Sequence, residues 1–71
     1  MKYYFYISMT AMEFLPYYQG KAQTIVVTST QGLRLQFPAQ HMRPYLKSDG
    51  INGYFCLQTE NKKFLSVTEI N

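Results

Sequence analysis

Seventy-one residues make one domain with one small core, and a chain this short buries only about 60% of the surface its unfolded form exposes. Such cores need a disulfide, a metal, self-association or dense aromatic packing; with a single cysteine (Cys56) and a single histidine (His41), an internal disulfide and a zinc centre are excluded. The net charge of +3 comes from lysines and arginines scattered along the chain, so no basic stripe marks a strong nucleic-acid footprint.

Residues 2–9 are predicted as the first strand. Tyr3, Phe5, Ile7 and Met9 fall on one face of the two-residue repeat, and Tyr4, Tyr6 and Ser8 on the other. A strand apolar on both faces is either covered on both sides or displays an aromatic surface. Thr10-Ala11-Met12-Glu13 fits a capping box, with Met9 and Phe14 placed for a hydrophobic staple. Ala11, Phe14, Leu15 and Tyr18 then recur at helical spacing as the buried stripe. Pro16 removes a backbone donor, so the helix is expected to be short or kinked and to end near Gly20.

Residues 22–30 read as a second strand around Thr24-Ile25-Val26-Val27-Thr28. Thr30-Gln31-Gly32 turns the chain into Leu33-Arg34-Leu35-Gln36-Phe37, whose alternation puts Leu33, Leu35 and Phe37 inside. Pro38 ends that strand. Ala39-Gln40-His41-Met42 can form one helical turn, which Pro44 stops by biasing Arg43 away from helix. Ser48-Asp49-Gly50 and Asn52-Gly53 are turn signals. Residues 53–60 form a fourth strand, with Phe55, Leu57 and Thr59 opposite Tyr54, Cys56 and Gln58. Asn61-Lys62 turns into a fifth over residues 63–70. The expected architecture is α+β, mostly β, in the order β-α-β-β-(short helix)-β-β. It is read as a five-stranded, strongly twisted antiparallel sheet within the single domain 1–71, and closure into a small partial barrel would remove its exposed edges.

Four segments carry a resemblance. They are Phe14-Leu15-x-Tyr17-Tyr18-x-Gly20, Gln36-Phe37-Pro38-Ala39, Arg43-Pro44-Tyr45 and Gly50-Ile51-x-Gly53-x-Phe55-x-Leu57. In this order and spacing the chain resembles a family of small uncharacterised bacterial proteins of similar length. The resemblance implies a bacterial, cytoplasmic protein and supplies no activity, substrate or site residues.

No catalytic constellation stands out. Cys56 lies between Phe55 and Leu57 with no base beside it in sequence, where a free cysteine packs as a small hydrophobe. His41 is read as a surface or cap residue. An enzyme working through these two side chains would need the fold to bring them together. Glu13 is used by the capping box, Asp49 by a turn, and Glu60 and Glu69 by strand ends or outward faces. Phosphate loops, nucleophile elbows and dinucleotide fingerprints are absent. No cofactor or metal is expected.

Arg43-Pro44-Tyr45 could receive an anion or stack on a base. Turn chemistry and the capping of a helix terminus by Arg43 explain it without a ligand. The candidate binding surface comprises Tyr4, Tyr6, Arg34, Arg43, Tyr45 and Lys63. The leading expectation is a non-enzymatic interaction module, binding a protein partner or a second copy of itself through an aromatic sheet face or edge. The alternative is a small barrel that stacks single-stranded nucleic acid on its tyrosines. No membrane span is long enough in the sequence, the amino-terminal residues lack the pattern of a signal peptide, and the lone thiol suits the cytoplasm.

Overall fold

A computed structural model describes residues 1–70. Its elements are β1 (Lys2–Met9), α1 (Ala11–Tyr18), β2 (Thr24–Thr28), β3 (Arg34–Pro38), a 3-10 helix (Ala39–Tyr45), β4 (Ile51–Glu60) and β5 (Lys63–Ile70). The element order is the predicted one. The five strands, however, form two open antiparallel sheets rather than one: β1-β4-β5 and the hairpin β2-β3. Neither closes into a barrel. The reason lies in how the core is covered. The inner face of β1-β4-β5 carries Phe5, Ile51, Phe55, Leu57 and Val67, all buried. One eight-residue helix is too small to roof it, so the hairpin crosses over as a second layer and buries Ile25, Val27, Leu35 and Phe37 against it. Rings knit the layers together: Phe5 lies 5.7 Å from Phe55 and 6.0 Å from Phe37.

The first helix begins as its sequence dictates. The Glu13 N–H donates to Thr10 Oγ1 at 3.1 Å, and the Thr10 N–H donates to Glu13 Oε1 at 2.8 Å. It ends in a Schellman pattern, in which the Gly20 N–H reaches the Tyr17 carbonyl and the Lys21 N–H the Pro16 carbonyl. Gly20 has the required positive φ of 79°. The buried stripe differs from the expected one. Phe14 is buried and Ala11 and Tyr17 are half-buried, whereas Leu15 and Tyr18 are exposed. Tyr17 turns inward onto Phe14 (5.6 Å between rings), while Tyr18 is drawn outward beneath Arg43.

Other boundaries shift for local reasons. The strand read over residues 22–30 is limited to Thr24–Thr28. Before it, the Ala22 N–H is held by the Pro16 carbonyl; after it, Ser29 organises the turn, its Oγ accepting from the N–H groups of Gln31 and Leu33. Leu33, expected inside, is 48% exposed because it closes that turn beyond the edge of the core. Helical structure continues to Tyr45 with Pro44 inside it. The 3-10 geometry accepts the fixed φ of proline at the loss of one bond, and Met42, fully buried, anchors the segment. Asn52-Gly53 is not a turn but part of β4. Gly53 sits closely packed there: a Cβ would lie 3.0 Å from Glu69 Oε2 and 3.3 Å from Phe55 Cε1, so those side chains would have to give slightly to admit one. Residues 47–50 do turn, with paired backbone bonds of 2.9 Å between Lys47 and Gly50.

Candidate functional site

Pairing register decides which side chains share a face. In β1-β4 the outward pairs are Lys2 with Gln58, Tyr4 with Cys56, Tyr6 with Tyr54 and Ser8 with Asn52. In β4-β5 they are Tyr54 with Ile70, Cys56 with Thr68, Gln58 with Ser66 and Glu60 with Lys63. The core cluster built from Phe5, Phe55 and Leu57 lies on the other face of this sheet. Among the described residues the outward face carries no part of that cluster and is the open one.

Its centre is a row of tyrosines. The ring of Tyr54 is 4.2 Å from that of Tyr6 at 33° between planes, and 6.0 Å from that of Tyr4 at 20°. At these separations the rings stand side by side with their faces turned to one another. Tyr6 is 72% exposed, whereas Tyr4 and Tyr54 are half-buried. Cys56 lies on the same face opposite Tyr4 but is only 8% exposed. Lys2 and Lys63 share the face at its far end, with Glu60 beside them.

The sheet's edges are less available than its face. On β1 the Tyr4 carbonyl accepts from the Thr30 N–H at 2.8 Å, so the hairpin tip blocks that side. On β5 the Val67 carbonyl accepts from the Tyr45 hydroxyl at 2.8 Å. A bulge between Gln58 and Thr59 in the register further disturbs the β5 ladder. All three are devices that protect a strand from unwanted pairing.

The six side chains singled out from the sequence are not gathered into one site. Tyr4, Tyr6 and Lys63 share the open face. Arg34 sits on the exposed face of the hairpin with Gln36. Arg43 stands over Tyr18, its guanidinium carbon 5.0 Å from the ring centroid, and Nη2 donates to the Tyr18 carbonyl at 2.6 Å. Tyr45 turns inward, its ring edge on Phe55 at 5.1 Å. Tyr54 was missed as a site residue, although its alternation with Phe55 already put it on the opposite side of its strand from Phe55. What the sequence lacked was the β1-β4 register that sets it beside Tyr6.

Cys56 and His41 are kept apart by the sheet itself. The thiol belongs to the outward face, whereas the imidazole stacks on Phe64 at 4.0 Å, within the layer that covers the core. Among the described residues no three His, Cys, Asp or Glu side chains gather where a metal could be held. No buried side-chain nitrogen or oxygen lacks a hydrogen-bond partner among them. No described helix is long and apolar enough to cross a membrane.

A family model described as "Protein of unknown function (DUF2835)" matches residues 1–70. The chain belongs to that family. Its description gives the DUF2835 proteins no activity, so the resemblance read from the four segments is established as kinship while function is left to the geometry. No curated protein and no solved structure matches the chain.

Proposed function

We propose that this DUF2835 protein is a non-enzymatic interaction module of the bacterial cytoplasm that binds a protein partner through the Tyr4-Tyr54-Tyr6 face, with a homodimer as its simplest assembly. The observation that carries this reading is a tyrosine row on the side of the sheet opposite the core, half-buried at Tyr4 and Tyr54 and exposed at Tyr6. Tyrosine suits a protein interface, because its ring is buried on docking while its hydroxyl finds a partner or stays wet. With both edges of the sheet obstructed, the face is the better docking surface. The lone thiol of Cys56 fits a reducing compartment.

Size sets the expected strength. Three strands about 4.8 Å apart and eight residues at about 3.4 Å give a patch on the order of 400 Å². That is roughly half of the ~800 Å² each partner gives to a standard interface. Association through this face alone is therefore expected to be weak and dependent on concentration. Sedimentation velocity from about 10 μM to about 1 mM spans the corresponding range. The average mass is expected to rise across it, and the rise should disappear in Tyr6→Lys with the thermal midpoint unchanged. A chain that stays monomeric throughout, and that captures no cellular protein in a Tyr6-dependent manner, overturns the reading.

Lys2 and Lys63 on the same face favour a second reading, in which the tyrosines and lysines bind single-stranded nucleic acid. The mutual stacking of the rings weighs against it, since a base needs an open ring face. Labelled single strands titrated at two salt concentrations decide the matter. Phosphate contacts would give affinity that falls steeply with salt, and no binding at low salt ends the idea.

A further inference from the structure

The Arg43 segment, which could receive an anion, has no role in the tyrosine face. It lines a groove of about 390 Å³ between the loop that follows α1 and the 3-10 helix. That volume falls within the roughly 300–1,000 Å³ range of small-molecule sites. The groove is held by two clasps. At one, Arg43 Nη2 donates to the Tyr18 carbonyl; at the other, the Ala39 N–H donates to the Gln23 carbonyl at 2.8 Å. Its walls divide by chemistry. Tyr17, Pro38 and Ala39 offer apolar surface, while Gln23, Gln40 and Arg43 offer side-chain donors, and no carboxylate is among the lining residues.

Arg43 is the decisive group. A guanidinium has five N–H donors in a rigid fork, of which one is engaged by Tyr18. That bond and the stacking on the Tyr18 ring fix the plane of the fork before any ligand arrives, and a fixed fork loses less entropy on binding an oxyanion than a free one. We infer that the groove between α1 and the 3-10 helix binds a small organic oxyanion, whose charge lies on the free edge of Arg43 and whose body lies against Tyr17 and Pro38. The amides of Gln23 and Gln40 supply the lateral hydrogen bonds. This site is separate from the tyrosine face and stands or falls without it.

Amide chemical shifts of the isotope-labelled chain, titrated with benzoate, phenyl phosphate and neutral benzyl alcohol, test the inference. At least one of the two anions is expected to give saturable shifts confined to residues 17–23 and 38–43, with a dissociation constant on the order of 1 mM. Benzyl alcohol should bind at least about tenfold more weakly, because it lacks the charge-assisted bonds. Arg43→Gln is expected to abolish the preference for the anions. Since that variant also loses a helix cap, Gln40→Ala serves as the second one, with about threefold weaker binding and an unchanged urea midpoint. The inference is overturned if neither anion saturates by about 20 mM, if benzyl alcohol binds equally well, if Arg43→Gln binds like the parent, or if the shifts map to the tyrosine face.

Discussion

Gly50 shows how a single residue can hold two elements together. It is buried with φ of 111°, and a Cβ there would stand 2.0 Å from the Met9 carbonyl oxygen and 2.7 Å from the Thr10 carbonyl carbon. Only glycine lets the turn before β4 press against the junction of β1 and α1. Gly50→Ala is therefore expected to cost about 3 kcal/mol or more, through both the clash and the left-handed backbone, read as a shift in urea midpoint. Gly20→Ala is the control: its φ is also positive, but a Cβ meets nothing within 4 Å. It should cost only about 1 kcal/mol, and equal losses in the two variants would refute the packing argument. Tyr45 acts at the same scale. Tyr45→Phe keeps the contact with Phe55 but frees the Val67 carbonyl. A loss of about 1 kcal/mol is expected, with faster amide exchange along β5. Unchanged exchange would mean that the hydroxyl does not guard the edge.

Among the elements, the β4-β5 hairpin carries a visible local strain. Asn61 and Lys62 both have positive φ, 52° and 65°, the arrangement of a tight two-residue turn that favours asparagine followed by glycine. Lysine is the poorer choice at the second position. Lys62→Gly is expected to raise stability by about 0.5–1 kcal/mol, detectable in thermal denaturation; a loss would show that the Lys62 side chain makes a contact of its own. The helix illustrates the opposite case, in which local chemistry and final structure agree. Thr10, Glu13 and Gly20 mark its start and stop from within the segment, and Arg43 adds a bond to the Tyr18 carbonyl from outside it. The face it buries was not so set. Periodicity put Tyr18 rather than Tyr17 in the buried stripe, whereas in the fold Tyr17 turns inward and Tyr18 lies outside under Arg43, contributed 25 residues later.

At the scale of the whole molecule, a domain of this length is stabilised by about 4–10 kcal/mol, and its aromatic core has to supply most of that. Phe55 is 1% exposed and touches both Phe5 and Tyr45. Phe55→Ala is expected to remove about 3–5 kcal/mol, enough to leave a substantial unfolded population by circular dichroism at ambient temperature. A variant that kept a cooperative transition near the parent's midpoint would show that the core tolerates the cavity. Tyr54, the preceding residue in β4, points the other way, and Tyr54→Ala should cost far less stability. The contrast between adjacent positions follows from the strand's period of two.

The chain's own periodicities determined much of this structure. Alternation in β3 located Leu35 and Phe37 in the core and in β4 set Phe55 and Leu57 opposite Tyr54 and Cys56, because a strand shows only every second residue to one side; in β1, apolar on both faces, only the fold chose Phe5 as the buried side. Capping and turn residues fixed the order of the elements, because those choices rest on bonds within a few residues. Tertiary structure alone decided that the hairpin would lie across the sheet rather than join it, since the cost of leaving a phenylalanine-rich face bare appears only when the layers meet. It also brought Tyr54 beside Tyr6, parted Cys56 from His41 and set Arg43 at the end of α1. Each of these depends on pairing register or on contacts between residues distant in the chain, which no local pattern encodes.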